Sequence, residues 1–283
     1  MSSGDADILR PFHFEGHGVR GAIVRLEASL GVVLGQHFYP PPAAMLLGEA
    51  LAAGVLLGAT LKYAGTLSLQ AKSEGLLRIL FAESSHDNRV RGYARVAEAP
   101  AGEGFDALLG GGTLAITITP DVGQRYQGIV PLDETGLGAS LEGYFEQSEQ
   151  LPTLIRLASD GVAAAGLMLQ ILPERARELG EAGFWEHLTQ LVATLRPGEL
   201  LGNNAEPLLW SLFHAEKVRM HEPRPVGFGC RCSVARVRDT LRAVGESEVR
   251  AVLAEQGQVQ VHCEFCQQEY CFDAAGVDGL FGS

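Results

Sequence analysis

The chain has 283 residues, enough for one large domain or two smaller ones. Hydrophobic residues make up 46% and charged residues 20%, which excludes whole-chain disorder and a collagen-like repeat. The net charge of −12 comes without a basic footprint, which argues against nucleic acid as a partner.

Residues Met1–Phe12 carry two Asp and no basic stretch ahead of an apolar run, so no secretory leader is expected and the chain reads as cytoplasmic. Asp7–Phe14 and Val19–Leu26 look like extended segments joined by the turn Gly16-His17-Gly18. Pro40-Pro41-Pro42 then opens a helix expected from about Ala43 to Tyr63, with Leu47, Leu51, Val55 and Leu61 at helical spacing. Gly54 and Gly58 in it suggest close packing. This is the longest apolar stretch, but Glu49 at membrane depth would cost several kcal/mol, so a core helix is expected and no membrane partner. Strand-like segments follow at Thr66–Gln70, Leu76–Glu83, Val90–Val96, Thr113–Thr119 and Arg125–Leu132. A short helix is expected over Ser140–Gln147 with Ser140 as its N-cap. Thr153–Ser159 and Val162–Ile171 flank Asp160-Gly161 and read as a hairpin. Residues 1–172 are therefore expected to form an α+β domain on a mainly antiparallel sheet.

Pro173 marks a change, and residues 173–225 read as a helical linker. Phe184, Trp185, Leu188, Leu191, Val192 and Leu195 form one apolar stripe. Leu208, Leu209, Leu212, Phe213 and Val218 form a second. A helical hairpin this short cannot bury both stripes alone and must lean on a neighbour. Trp185 and Trp210 are expected to be covered in the packed form. His221-Glu222-Pro223-Arg224-Pro225 reads as a stiff connector to a small module, residues 226–283.

There is no phosphate-binding loop, dinucleotide fingerprint, nucleophile elbow or paired-histidine zinc motif, and no enzyme activity is expected. His13, His17 and His37 read as surface or turn residues. The chemistry lies elsewhere: every cysteine of the chain falls between Cys230 and Cys271. Cys230-Arg-Cys232 and Cys263-Glu-Phe-Cys266, separated by the stretch Ser233–His262, have the spacing of a four-thiolate zinc site. Spacing alone leaves open four buried structural cysteines, or a disulfide framework, which a reducing compartment disfavours. Cys271 reads as a buried or spectator thiol rather than a fifth ligand, while His262 could stand in as a ligand. Arg231, inside the first pair, either tempers the charge of the site or is an exposed spacer. A module that runs only from Val226 to Ser283 is marginal for its own core, so its folding should depend on the metal. An oxidant that consumed the thiolates would eject the zinc and unfold the module, and the helical segment could share that loss.

These motifs, Phe228-Gly-Cys230-Arg-Cys232-Ser233 and Val261-His-Cys263-Glu-Phe265-Cys266, resemble those of the redox-regulated 33 kDa heat-shock chaperone family. The resemblance extends through Val19-Arg20-Gly21, Leu47-Gly48-Glu49-Ala50, Thr60-Leu61-Lys62, Arg91-Gly92-Tyr93, Tyr126-Gln127-Gly128-Ile129-Val130 and Tyr144-Phe145-Glu146-Gln147-Ser148-Glu149-Gln150, and so covers essentially the whole chain. It departs at Ser73-Glu74-Gly75-Leu76, which lacks an expected Gly-Pro pair, and at Cys271, an extra thiol. The resemblance implies a holdase that needs no ATP, inactive while reduced with one Zn2+ on Cys230, Cys232, Cys263 and Cys266. It implies that oxidants such as hypochlorite, or peroxide with heat, join Cys230 to Cys232 and Cys263 to Cys266. The metal is then released, the module and linker unfold, and a homodimer binds unfolding client proteins. The linker stripes and newly exposed sheet surface are the expected client contacts, with both tryptophans becoming wetter. Two rival classes are weaker. A zinc-ribbon nucleic-acid module conflicts with 5 Arg against 8 acids from Val226 onward. A thiol–disulfide enzyme would suit Cys263-Glu-Phe-Cys266 but not a second pair outside a thioredoxin-like pattern.

Overall fold

The computed structural model describes residues 6–61, 64–97, 104–172 and 179–282. It divides into two units, Met1–Gly229 and Cys230–Ser283. The first unit runs β1 (Ile8–Phe14), β2 (Val19–Leu26), α1 (Ala28–Leu34), α2 (Pro41–Gly58), β3 (Gly65–Lys72), β4 (Leu77–Ser85), β5 (Arg89–Val96), α3 (Phe105–Leu109), β6 (Thr113–Pro120), β7 (Tyr126–Pro131) and α4 (Leu137–Tyr144). After α4 come β8 (Thr153–Ser159), β9 (Ala164–Ile171), α5 (Leu179–Ala193), α6 (Pro197–Gly202), α7 (Ala205–Phe213), β10 (Val218–Met220), β11 (Arg224–Pro225) and β12 (Gly227–Phe228). The expected α+β class holds, with two sheets in place of one. The first has the order β10-β1-β2-β9-β8 with β11 also on β1, and the second β12-β5-β4-β3-β6-β7. Pairing is antiparallel apart from β12, which runs parallel to β5.

Helix α2 lies between these sheets, touching β2, β8 and β9 of one and β3, β4 and β5 of the other. Leu46, Leu47, Ala50, Leu51, Ala53, Val55, Leu56 and Leu57 are all buried, so the helix is covered on every side rather than along one stripe. It is long and apolar enough to cross a membrane, yet its apolar window is 72% buried within the protein. Small residues allow the close approach. A Cβ on Gly48 would come 2.4 Å from Ser159 Oγ, and one on Gly58 would come 3.3 Å from Ser84 Oγ. The helix ends at Gly58, before the expected Tyr63, as Thr60 turns its hydroxyl back onto the Leu57 carbonyl at 2.7 Å. Tyr63 lies outside the described residues.

Local signals failed where partners are remote. The short helix α1 was not expected from sequence. Its first turn is capped by Asp7, whose carboxylate accepts the N–H groups of Ala28 at 2.8 Å and Ser29 at 2.9 Å. Ser140 is not an N-cap. Its helix starts at Leu137 after Gly136, and Ser140 Oγ donates to the Gly136 carbonyl while accepting the Asp133 N–H, both at 2.9 Å. The Asp160-Gly161 hairpin is present, with Gly161 at φ +84°. Asp160 accepts the N–H groups of Ala163 and Val162, which keeps both out of the strand, so β9 starts at Ala164 rather than Val162.

The linker helices do lean on a neighbour. Leu188, Val192, Leu208, Leu209, Leu212 and Phe213 pack with Phe12, Phe14, Ile23 and Leu169 of the first sheet. Phe14 meets Phe184 and Phe213 edge-on at 5.4 and 5.2 Å. Val218 belongs to strand β10, opposite Phe14, and not to a helical stripe. The expected connector is also partly strand: Arg224 and Pro225 pair with Leu9 and Ile8, and Gly227 and Phe228 pair with Arg89 and Val90. Trp185 is half-buried, but Trp210 is 71% exposed and cannot report an opening of the packed form. The change expected at Pro173 falls outside the described residues.

Glu49 sits on α2, and burial pushes its carboxyl up to about 7. The folded protein therefore binds this proton more tightly than the unfolded chain. Its stabilising contribution is complete below the ordinary value of 4.5 and is lost as pH rises through about 7. Glu49→Gln should be more stable than the parent at pH 8, by about 3 kcal/mol, and nearly equal to it at pH 4.5. Urea unfolding of the first unit at the two pH values measures this.

Candidate metal centre

The second unit contains α8 (Val234–Val244), α9 (Glu246–Gln256), β13 (Val259–His262), β14 (Glu269–Phe272) and α10 (Ala274–Phe281). Its core is formed by Val237, Leu241, Val249, Val259, Phe272, Val277 and Leu280. Its three helices were not anticipated, although their punctuation is visible. Ser233 caps α8 by accepting the Arg236 N–H at 3.3 Å, Gly245 separates α8 from α9, and Gly257 ends α9 at φ +78°.

Two tight turns bring the cysteines together. Strands β13 and β14 pair from Val259↔Phe272 to His262↔Glu269, leaving Cys263–Gln268 as the loop. Within it the Cys263 N–H donates to the Gln268 carbonyl at 3.0 Å and the Gln267 N–H to the Cys263 carbonyl at 2.8 Å. Gln267 takes the left-handed conformation, φ +54°, that closes the turn. The Phe265 and Cys266 amides point at the Cys263 sulfur, and the Gln268 amide at that of Cys266. In the first turn the Cys232 amide points at Cys230 Sγ, and Cys232 directly precedes the Ser233 cap.

All four sulfurs lie within 4.8 Å of one another. Cys230 and Cys263 are 3.6 Å apart, and Cys232 and Cys266 are 3.4 Å apart. A tetrahedron with zinc–sulfur bonds of ~2.3 Å has edges of roughly 3.8 Å, whereas a disulfide needs ~2.05 Å. The four thiols are free, and their spacing fits a thiolate-bound metal. Burial opposes ionisation of Cys230, but the Cys232 amide and the neighbouring sulfurs outweigh it and hold this thiol at about 7. Burial pushes Cys266 up, and the adjoining sulfurs push it further; Cys263 is raised chiefly by burial. One sulfur ionises readily and the next resist, the electrostatic profile of a site that a divalent cation would complete.

The remaining candidates stand outside this cluster. Cys271 is exposed rather than buried, and its thiol lies 2.9 Å from the Glu269 carboxylate, which raises it. His262 Nε2 is 3.9 Å from Glu269 and does not join the four sulfurs. Arg231 is exposed. His13 hydrogen-bonds His221 at 2.9 Å. Sequence reasoning missed Tyr270, whose hydroxyl donates to Cys232 Sγ at 3.1 Å. That bond, with burial, pushes its phenol up to about 12. The alternation of Tyr270, exposed Cys271 and buried Phe272 was the available signal.

The family model described as Hsp33 protein matches residues 7–273. The chain belongs to the Hsp33 family. Similar relatives include the 33 kDa chaperonins of Pseudomonas paraeruginosa, 46% identical over 98% of this chain and 95% of the relative, and of Hahella chejuensis, 43% identical over 98% of each. The crystal structure of the 33 kDa chaperonin from Thermotoga maritima shares the Hsp33 fold, with a TM-score of 0.84, 24% identity and 97% of both chains covered.

The cap beside Cys232 contributes to the stability of the second unit. Ser233→Ala should cost about 1 kcal/mol. Amide exchange should quicken across Val234–Val244 while exchange in α2 stays unchanged.

Proposed function

We propose that this Hsp33 chain is a redox-regulated, ATP-independent holdase that protects unfolding proteins from aggregation during oxidative stress. The convergence of four free sulfurs at tetrahedral spacing carries the redox switch, and membership of a chaperone family carries the holdase. In the reduced, inactive form, Cys230, Cys232, Cys263 and Cys266 would hold one Zn2+ per chain. The bound ion would supply cross-linking, and with it most of the folding free energy of a small module. Residues 1–172 would be the chaperone core, 173–225 the linker and 226–283 the switch.

Oxidation would join Cys230 to Cys232 and Cys263 to Cys266. With hydrogen peroxide, each pair of thiols gives up two electrons and two protons, one S–S bond forms and the peroxide leaves as two waters. Sulfurs face each other across the two turns at 3.6 and 3.4 Å, well beyond a disulfide bond, so the proposed bonds need each turn to tighten on itself. What supports them is topology. A Cys230–Cys263 bond would staple the module, whereas bonds within each turn close loops too short to hold it folded. Paired sulfurs carry no charge and cannot ligate, so the module would lose its metal and unfold. Gly229, which precedes Cys230, donates its N–H to Val90 at 3.0 Å, so unfolding would also tug on β12. The apolar faces of α5–α7 and of the first sheet would then bind clients, in a homodimer. This cytoplasmic role needs no catalytic step and no contact with nucleic acid or membrane.

Zinc content and suppression of aggregation, measured together before and after oxidation, test the proposal. One zinc per reduced chain is expected, lost in step with the gain of activity. Cys271→Ser should keep that stoichiometry, while Cys263→Ser should bind zinc far more weakly. Equal loss in both variants, or activity that rises with zinc still bound, would falsify it.

A further inference from the structure

Cys232 has a donor from outside the two cysteine turns. Backbone N–H groups reach Cys230 from Cys232, Cys263 from Phe265 and Cys266, and Cys266 from Gln268. Cys232 receives a side-chain hydroxyl from Tyr270, at 3.1 Å and 38 residues further along. The tyrosine ring is fixed by the module itself. It packs against the core around Val259 and Phe272, opposite its cross-strand partner Val261. A backbone amide within a metal-binding turn moves with the sulfur it serves. A hydroxyl on β14 moves with β14.

We propose that Tyr270 is a positioning residue for the metal centre, its hydroxyl damping the reactivity of Cys232 and tying that sulfur to the folded β13–β14 hairpin. This rests on the four-thiolate reading above. A donor hydrogen bond stabilises the sulfur lone pair that would attack an electrophile, so nucleophilicity falls while the bond is made. Partners of this kind also fix the direction of a ligating sulfur, and their loss typically weakens metal binding 10–100-fold. When the hairpin opens, the hydroxyl is withdrawn and Cys232 becomes a stronger nucleophile. Unfolding of the module and reactivity of this sulfur are thereby coupled through one O–H···S bond.

The test compares the full-length reduced chain with its Tyr270→Phe variant, which keeps the ring, both loaded with cobalt(II). Iodoacetamide forms an S–C bond and releases iodide, and peptide mapping gives the rate at each cysteine. Alkylation of Cys232 should quicken several-fold in the variant, with Cys230, Cys263 and Cys266 changing less than twofold. The sulfur-to-cobalt charge-transfer band should move to longer wavelength, and chelator competition should show metal binding weakened by about 10-fold or more. Equal acceleration at all four sulfurs with an unmoved band would make the hydroxyl a support of the fold alone and overturn the proposal. A parent chain that takes up no metal overturns the metal-centre reading and this inference together. One metal bound with Cys232 indifferent to the substitution overturns the inference alone.

Discussion

Four sulfurs within 4.8 Å are the constraint on which the second unit depends. Two thiolates about 3.5 Å apart would repel by about 5 kcal/mol at an effective dielectric of 20, so the set cannot ionise fully without a cation among them. The structure shows the two halves of that tension. Cys230 is held at about 7 by donors, while burial and neighbouring sulfurs raise Cys266. The surrounding core is drawn from the short unit Cys230–Ser283 alone, a size at which apolar burial seldom suffices. On the proposed zinc switch, chemistry at sulfur and stability of the fold would be the same variable.

The first unit has a different basis. Its cysteine-free sheets close on both sides of α2, and nothing in that core depends on the charge state of sulfur. The two units can therefore respond differently to one oxidant. Glu49 is the exception to an apolar helix, and it makes this unit sensitive to pH instead. Helices α5–α7 share the first unit's other core, around Phe14, so their order is tied to that of the sheet.

Strands were legible in the sequence because alternation is a local pattern that reports directly on a half-buried surface. β3, β6 and β8 lie within a residue or two of their expected limits for this reason. The gathering of four cysteines was legible because thiols are rare and paired spacing has few uses. Features that depend on distant partners were not. The cap on α1 comes from Asp7, two strands earlier, and the donor to Cys232 comes from Tyr270 on β14, 38 residues later. Ser140 shows the opposite failure: a residue of the right type stood near a helix start, but Gly136 occupied the capping position. Trp210 was expected to be covered with the apolar stripes, yet it lies at the outer edge of α7, its ring beside exposed His214. The helices of the second unit had visible caps, which the cysteine pattern overshadowed.

The first sheet is closed by the ends of its own unit. β1 pairs with β2, its neighbour in sequence, but its other edge is covered only by Val218–Met220 and Arg224–Pro225, far along the chain. Roughly 200 residues separate the two, which at 5–20 residues per second is on the order of 10–40 s of synthesis. Through that interval the growing chain carries an unpaired strand edge beside Phe12 and Phe14, both of which are buried in the finished protein. On the ribosome, closure of this sheet must therefore wait for the last strands of its own unit, and until then its edge is protected by nothing within the chain that pairs with it in the finished fold.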